Sequence, residues 1–425
     1  MRRAAGGADD EPVKNTQALS PSDGVCVAGA PGPKACFARR EHPVGTSHSA
    51  PRESDATLSP PQSMPIAPSK LREPLRFERI CLEKVWGGRR LETALGIAPP
   101  GASAIGETWE LSDRADHNSV VAEGAFRGVT LRELMRDHRG ALLGDARSTP
   151  EGRFPLLVKF IDAAEPLSVQ VHPPSGTRRG QDEGKTEAWF LLDALPSSKL
   201  WIGLRPGVTP QQLAASAPTR DVLAHLLEWP ARAGDFAFVP GGTVHAIDGG
   251  VALLEVQENS DTTHRLYDWG RKGSDGKPRE MHVEAALVST RFEAAPPMPR
   301  PPAFTTVRAG VRRAPLVDSP SFAMELYEIE GTHTFDAAST ALIYIVLGGA
   351  GVMLGGAGAM LGGAGVKPGG AGAVLGGEGQ PAPAGDTRPS VAIARGQTWL
   401  VPASVGAHTF VSKDALRVMR VTTKA

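Results

Sequence analysis

Apolar and polar positions alternate through LSVQVHPP, Leu167 to Pro174, so an extended chain there puts Val169 and Val171 on one face and Gln170 and His172 on the other. The same short, β-rich texture recurs in FPLLVKFIDA, EAWFLLDA, DFAFVPGG and ALLEVQE between Phe154 and Glu258, each run bounded by Gly or Pro. Their continuous apolar character predicts buried strands. LRFERICLEKVWGG and GETWELS, starting near Leu75, read as earlier strands of the same set. Two stretches have helical spacing instead: Thr130–Leu143, with Leu131, Leu134, Met135 and Leu142 on one face and Thr130 as N-cap, and a second from about Pro210 to Trp229. Many short strands and few helices predict a mainly β protein of sandwich or jelly-roll build.

The pattern breaks in two places. Residues 1–72 are rich in Pro, Ser, Ala and Gly and carry no sustained period, the composition of a disordered tail. From Leu347 a seven-residue repeat, LGGAGVM, LGGAGAM, LGGAGVK, continues toward residue 386. Ala341–Val366 has no charge over 26 residues, long enough to span a membrane, but it contains nine glycines and glycine costs a helix interior about 1 kcal/mol per residue. ALIYIVL before it and VAIARGQTWLVP after it read as paired strands, which makes the repeat an expanded hairpin loop.

An internal echo sets the domain plan. AGDFAFVPGGTVHAI (Ala233–Ile247) returns in outline as RGQTWLVPASVGAHTF (Arg395–Phe410), with Gly, a strand, Val-Pro and a downstream His in each. Two related barrels follow: residues 73–295 with helical insertions, and residues 296–425 containing the Gly-rich loop at 347–386. The second copy lacks a QVHP partner upstream and is not expected to hold a metal.

Charge and cysteine content narrow the setting. Forty-six basic and 46 acidic residues cancel over 425 residues, which argues against nucleic acid or an anionic membrane as partner and for a small, locally recognised one. Cys26, Cys36 and Cys81 have neither metal-ligand spacing nor a disulfide-framework count. Met1-Arg2-Arg3 is followed by no apolar core, so no export signal is supported and a cytoplasmic location is expected. Oligomeric state is not legible.

The polar face of LSVQVHPP acquires meaning from residues downstream. Glu187 opens the strand of GKTEAW two positions after Lys185, and His245 follows the glycine turn of VPGGTVHAI. A lone strand histidine is more often a hydrogen-bonded structural residue. Gln170, His172, Glu187 and His245, at consecutive strand ends of one β domain, together give two imidazoles, a carboxylate and an amide that suit a divalent ion such as zinc with coordination room left over, and spacing alone leaves both readings open.

LSVQVHPP, GKTEAWFLLDA, VPGGTVHAI and EVQENSDTTHRLYDWGR closely resemble segments of the type I mannose-6-phosphate isomerases, metal-dependent enzymes of cupin fold; EKVWGG and GETWELS resemble that family's amino-terminal motifs. The resemblance spans about residues 77–285 and is only an outline beyond. It implies a metal-binding cupin domain followed by a second cupin-like jelly roll, and one zinc ion per chain held by Gln170, His172, Glu187 and His245. It also implies a phosphorylated hexose substrate, mannose 6-phosphate interconverting with fructose 6-phosphate through an enediol or enediolate. Arg265 of THRLYDWGR is expected at the substrate's phosphate or enediolate charge; its alternative is a salt bridge to Asp261 or Asp268. Lys185 is expected in proton transfer or phosphate contact with a pKa lowered by desolvation, against the alternative of a solvated strand-end lysine. Ser168 either touches substrate phosphate or ties up backbone. His264 and Asp261 are further candidates for ring opening, while Trp86, Trp109 and Trp189 read as packing residues. Two other functions fit similar ligands: an iron-dependent cupin oxygenase, and a sugar-binding cupin without catalysis.

Overall fold

A computed structural model of the protein describes residues 71–355 and 390–425, apart from 99–100, 102, 181, 274–275 and 295–297. The tail at 1–70 and the repeat from residue 356 to 386 therefore lie outside the described residues. Leu71, assigned to the tail from sequence, is instead fully buried in the core.

In chain order the first strands are β1 (Leu75–Arg76), β2 (Ile80–Gly88), β3 (Ile105–Leu111), β4 (Leu156–Ala163), β5 (Val169–Val171), β6 (Arg178–Arg179) and β7 (Asp182–Glu183). They continue with β8 (Glu187–Ala194), β9 (Lys199–Leu204), β10 (Leu226–Pro230), β11 (Phe236–Val239), β12 (His245–Ile247), β13 (Val251–Glu258) and β14 (His264–Tyr267). The carboxy-terminal strands are β15 (Thr305–Arg308), β16 (Val311–Asp318), β17 (Phe322–Ile329), β18 (Thr332–Phe335) and β19 (Leu342–Gly348). After them come β20 (Ala350–Leu354), β21 (Ser390–Ala394), β22 (Thr398–Val401), β23 (His408–Ser412) and β24 (Leu416–Thr423).

Two sheets, ordered β11-β8-β13-β4-β2-β3 and β10-β9-β12-β5-β14, face each other as a first barrel; β1-β22-β19-β24-β17-β16-β15 and β18-β23-β20-β21 make a second. Side-chain alternation decides what each face buries. Ile161, Trp189, Leu191 and Leu253 fill the first barrel, whereas Phe160, Phe190, Leu254 and Val256 point the other way. These outward residues meet Met324, Ile343, Met419 and Val421 of the second barrel in one continuous core. β1 pairs with β22, so the chain starting at Leu75 enters the second barrel's sheet before building the first.

The strand order is the same in both. β4, β5 and β8 to β13 have as counterparts β17 to β24, and the echoed Val-Pro segments fall on β11 and β22. The helix expected at 130–143 forms over Leu131–Leu143, with a capping box in which Thr130 and Glu133 satisfy each other's backbone N–H groups. The second expected helix stops early. It spans Pro210–Ser216; Pro218 blocks its continuation, Thr219 caps a 3-10 turn at Arg220–His225, and Leu226–Pro230 leaves as strand β10. The uncharged stretch at 341–366 is not a helix where it is described: β19 turns into β20 at Gly349, whose φ of 74° suits glycine. Among the described residues no helix is long and apolar enough to cross a membrane.

Candidate metal centre and active site

Strand pairing brings the predicted ligands together. His245 lies directly across from Gln170 on β5, and Arg265 lies across from Gln170 on its other side, so the three project from one face of the five-stranded sheet. Val169 and Val171 on the opposite face pack under Leu213, Val222 and Leu266. Glu187 reaches in from β8 on the facing sheet, where it pairs with Val239.

His172, Glu187 and His245 are all 1 % exposed, and one ligand atom from each lies within 4.8 Å of the others. His172 Nε2 is 3.3 Å from Glu187 Oε2, and His245 Nε2 is 3.3 Å from Glu187 Oε1. Each ring's Nδ1–H donates to a carbonyl, His172 to Thr262 at 2.7 Å and His245 to Thr243 at 2.9 Å. Those bonds leave both Nε2 lone pairs turned inward, the tautomer a metal requires. Burial, then Lys185, lowers the His172 pKa to about 3, and burial lowers that of His245, so both rings stay neutral. Burial alone would raise the Glu187 carboxyl, but Lys185, His172 and His245 outweigh it and hold it well below the usual range. A neutral pair of imidazoles around an ionised carboxylate is a donor set for a divalent cation.

The amide of Gln170 completes the ring, its Nε2 standing 3.4 Å from His172 Nε2 and 3.2 Å from His245 Nε2. Ser168 Oγ donates to Gln170 Oε1 at 2.9 Å. A half-turn of the amide brings Oε1 to the imidazoles, and the hydroxyl then accepts from Nε2. Ser168 thus orients Gln170; its hydroxyl is not spent on backbone, as one of its two expected roles had it. Glu187 Oε2 lacks a hydrogen bond of good geometry, although Lys185 Nζ stands 2.8 Å from it. An ionised oxygen so placed fits a metal ligand, and the four residues fit zinc.

Lys185 is 5 % exposed, which rules out a solvated strand-end lysine. Its expected lowered pKa is corrected as well. Burial lowers it, but Glu187 and Glu255 together raise it above the ordinary lysine value. Arg265 makes no ion pair among the described residues, its Nε is buried without a partner, and Asp268 is taken by Arg271 and Arg279. Gln170 and Arg265 are partly exposed, unlike His172, Glu187 and His245 beside them. His264 points away: it pairs with Val171 across the strands, and its ring contacts Ser289 Oγ at 3.0 Å and Asp182 Oδ1 at 3.1 Å. That removes it from ring-opening chemistry at this face.

One acidic group was missed from sequence. Glu255, buried on β13, lies 3.5 Å from Lys185 Nζ and 3.8 Å from Lys159 Nζ, and its Oε1 accepts no hydrogen bond. Burial pushes its carboxyl up despite the lysines. The signal was present in ALLEVQE, where a charge interrupts a continuously apolar strand.

The residues from 75 to 186 match the catalytic domain of type I phosphomannose isomerase. A mannose-6-phosphate isomerase of Streptococcus mutans is 35% identical over 281 residues, covering 66% of this chain and 86% of that protein. The chain belongs to the mannose-6-phosphate isomerase family. Members of that family are aldose–ketose isomerases, and the similarity extends to the probable mannose-6-phosphate isomerase GmuF of Bacillus subtilis, 34% identical over 282 residues, 65% of this chain and 87% of that one. The crystal structure of the mannose 6-phosphate isomerase from Bacillus subtilis superposes with a TM-score of 0.68 at 26% identity, over 82% of this chain and 99% of that chain. The apo form of the enzyme from Salmonella typhimurium shares the fold, with a TM-score of 0.59 at 17% identity, over 83% and 99% of the two chains.

Proposed function

We propose that the chain interconverts mannose 6-phosphate and fructose 6-phosphate through an enediolate, using one zinc ion held by Gln170, His172, Glu187 and His245. The observation that carries this is the buried convergence of His172, Glu187 and His245 within 4.8 Å, with Gln170 bridging both imidazoles, in a member of this isomerase family. Zinc bound there supplies a Lewis acid that draws charge from the sugar's carbonyl and neighbouring hydroxyl oxygens.

The chain's own groups do the rest. Aldose and ketose differ by one proton moved between C2 and C1 of the open sugar and a second moved between the O2 and O1 oxygens, and the carbon-bound proton needs a carrier with affinity near neutrality. Glu255 suits the task, because burial raises its proton affinity and Lys185 beside it can hold the charge of its ionised form. Lys185 Nζ also stands on the ligand side, 3.1 Å from His172 Nε2, which suits its ammonium to a place between carrier and substrate oxygens. Arg265, unpaired and partly exposed, offers parallel N–H donors to the phosphate or to enediolate oxygen. Ser168 acts through Gln170. We place the enzyme in the cytoplasm, with a phosphorylated hexose as its partner.

The test is metal analysis with turnover. Purified full chain should carry about one zinc, and chelation should abolish conversion of mannose 6-phosphate, restored by added zinc. Iron with oxygen uptake would favour an oxygenase, and bound metal without turnover a sugar-binding protein; either result ends the isomerase reading.

A further inference from the structure

Behind Glu255 the first barrel holds a line of alternating charges that the proposed chemistry does not use. Lys159 Nζ stands 3.8 Å from Glu255 Oε1 and 3.6 Å from Glu107 Oε2, and Lys84 Nζ stands 3.5 Å from Glu107 Oε1. With Lys185 and Glu187 the series runs Lys84, Glu107, Lys159, Glu255, Lys185, Glu187, from a partly exposed end on β2 to the metal ligands. Lys159, Glu255, Lys185 and Glu187 are each no more than 5 % exposed.

A buried row of charges needs a reason, because each ion costs several kcal/mol to desolvate and an apolar row of the same volume would serve the core as well or better. Glu107 is the most tightly held member. Trp109 Nε1–H donates to its Oε2 at 2.7 Å, and Lys159 Nζ sits 5.0 Å from the centre of the Trp109 ring. Burial raises the Glu107 carboxyl, but Lys159, Lys84 and that indole bond outweigh it and lower its pKa to about 2. Glu107 is therefore a fixed negative charge with rigid support, and Lys159 is drawn to it and to the Trp109 face. Without that second anchor, the Lys159 ammonium would collapse onto Glu255, the closest remaining carboxylate among the described residues.

We infer that Glu107 is a positioning residue for the isomerase: supported by Lys84 and Trp109, it holds Lys159 back from Glu255 and so keeps the Glu255 carboxylate free to face the sugar beside Lys185. This rests on the proton-carrier role given to Glu255. Glu107 touches neither substrate nor ligand in this arrangement, so its removal acts on the chemical step and leaves the metal in place.

The experiment uses the zinc-loaded full chain and mannose 6-phosphate. Glu107→Gln should keep zinc content and KM within about twofold while kcat falls on the order of tenfold to a hundredfold, the effect of a misplaced catalytic group. Glu107→Asp, which retains the charge, should recover part of kcat. Lys84→Met, at the outer end, should lower kcat less and add nothing in the Glu107→Gln background. Unchanged kcat in Glu107→Gln, or losses confined to melting temperature or zinc content, would overturn the inference. Should Glu107→Gln not fold, an unchanged kcat in Lys84→Met does the same. Wild-type enzyme without turnover refutes the isomerase reading itself, whereas active wild type with equally active variants refutes only the role of Glu107.

Discussion

Replacing Glu187 and His245 separates metal binding from the stability of the barrel, because the two side chains leave different neighbours behind. Without His245 the remaining groups are neutral or paired: Glu187 keeps Lys185 at 2.8 Å, and the loss is a buried ring against Trp189 and one hydrogen bond to Thr243. That is a cavity cost of about 2–4 kcal/mol. Without the Glu187 carboxylate, Lys185 remains buried with Glu255 at 3.5 Å and two imidazoles that cannot neutralise it. Breaking such a pair from one side costs about 3–5 kcal/mol, and isosteric Glu187→Gln avoids confusing that cost with a cavity.

A second change isolates the charge. In metal-free protein, adding Lys185→Met to Glu187→Gln removes the stranded ammonium and should return a large part of the loss, a coupling of about 2–3 kcal/mol. In His245→Ala the same addition should return nothing. Zinc separates the variants again: at a thousandfold excess over its dissociation constant it should stabilise wild type by about 4 kcal/mol and neither ligand variant. Urea unfolding followed by tryptophan fluorescence, with chelator and with zinc, reads all of these, since Trp189 is buried against His245. A zinc-dependent shift that survives in His245→Ala refutes the ligand assignment. Failure of Lys185→Met to rescue Glu187→Gln refutes the account of the charges.

Three further outcomes follow from single contacts. Arg265→Ala should retain zinc and lose about 10²–10³ in kcat/KM, with Arg265→Lys recovering only part, because a point charge cannot make the paired bonds of a guanidinium; full activity in either would remove Arg265 from the site. Ser168→Ala should weaken zinc binding on the order of ten- to a hundredfold in a competition titration, since Gln170 loses the hydroxyl that orients it. Burial lowers the His408 pKa from its ordinary 6.5, so the unfolded chain takes up a proton that the folded one refuses. Its contribution to stability is therefore complete above pH 6.5 and lost as pH falls toward the lowered folded value. The drop in urea midpoint between pH 8 and 5.5 should be smaller in His408→Phe than in wild type, and an equal drop would contradict this.

Much of the centre was legible because strand alternation is a local property. Gln170 and His172 had to share a face, and Val-Pro-Gly-Gly before His245 marked a strand end. What alternation cannot supply is register. That Glu255 lies opposite Lys159 on one side and Trp189 on the other is a fact of three strands far apart in sequence, so the charge row behind the ligands was invisible. The sign of the Lys185 shift was missed for the same reason, as desolvation was foreseeable and the second carboxylate was not. The second helix failed on a local rule that was available: Pro218 stands in the middle of the stretch read as one helix.

The second barrel shows how little of this centre the fold itself requires. Aligning the echoed Val-Pro pairs puts His408 where His245 stands, with its Nδ1–H on Gly406 at 2.9 Å as His245 has Thr243. The strand partners then differ: Phe335 faces His408 where Gln170 faces His245, and Leu342 pairs with Val401 where Glu187 pairs with Val239. Tyr344 replaces Trp189, and its hydroxyl meets His408 Nε2 at 2.8 Å, on the nitrogen that His245 turns toward Glu187. The ion pair behind is kept with its charges exchanged, Glu325 and Arg420 standing where Lys159 and Glu255 stand. A barrel of this strand order accepts either polarity in that row, so packing does not explain why the first barrel sets its acid next to the ligands. The proposed chemistry does: in that reading a carboxylate beside Lys185 carries a proton to and from a sugar carbon, and an arginine in its place could not.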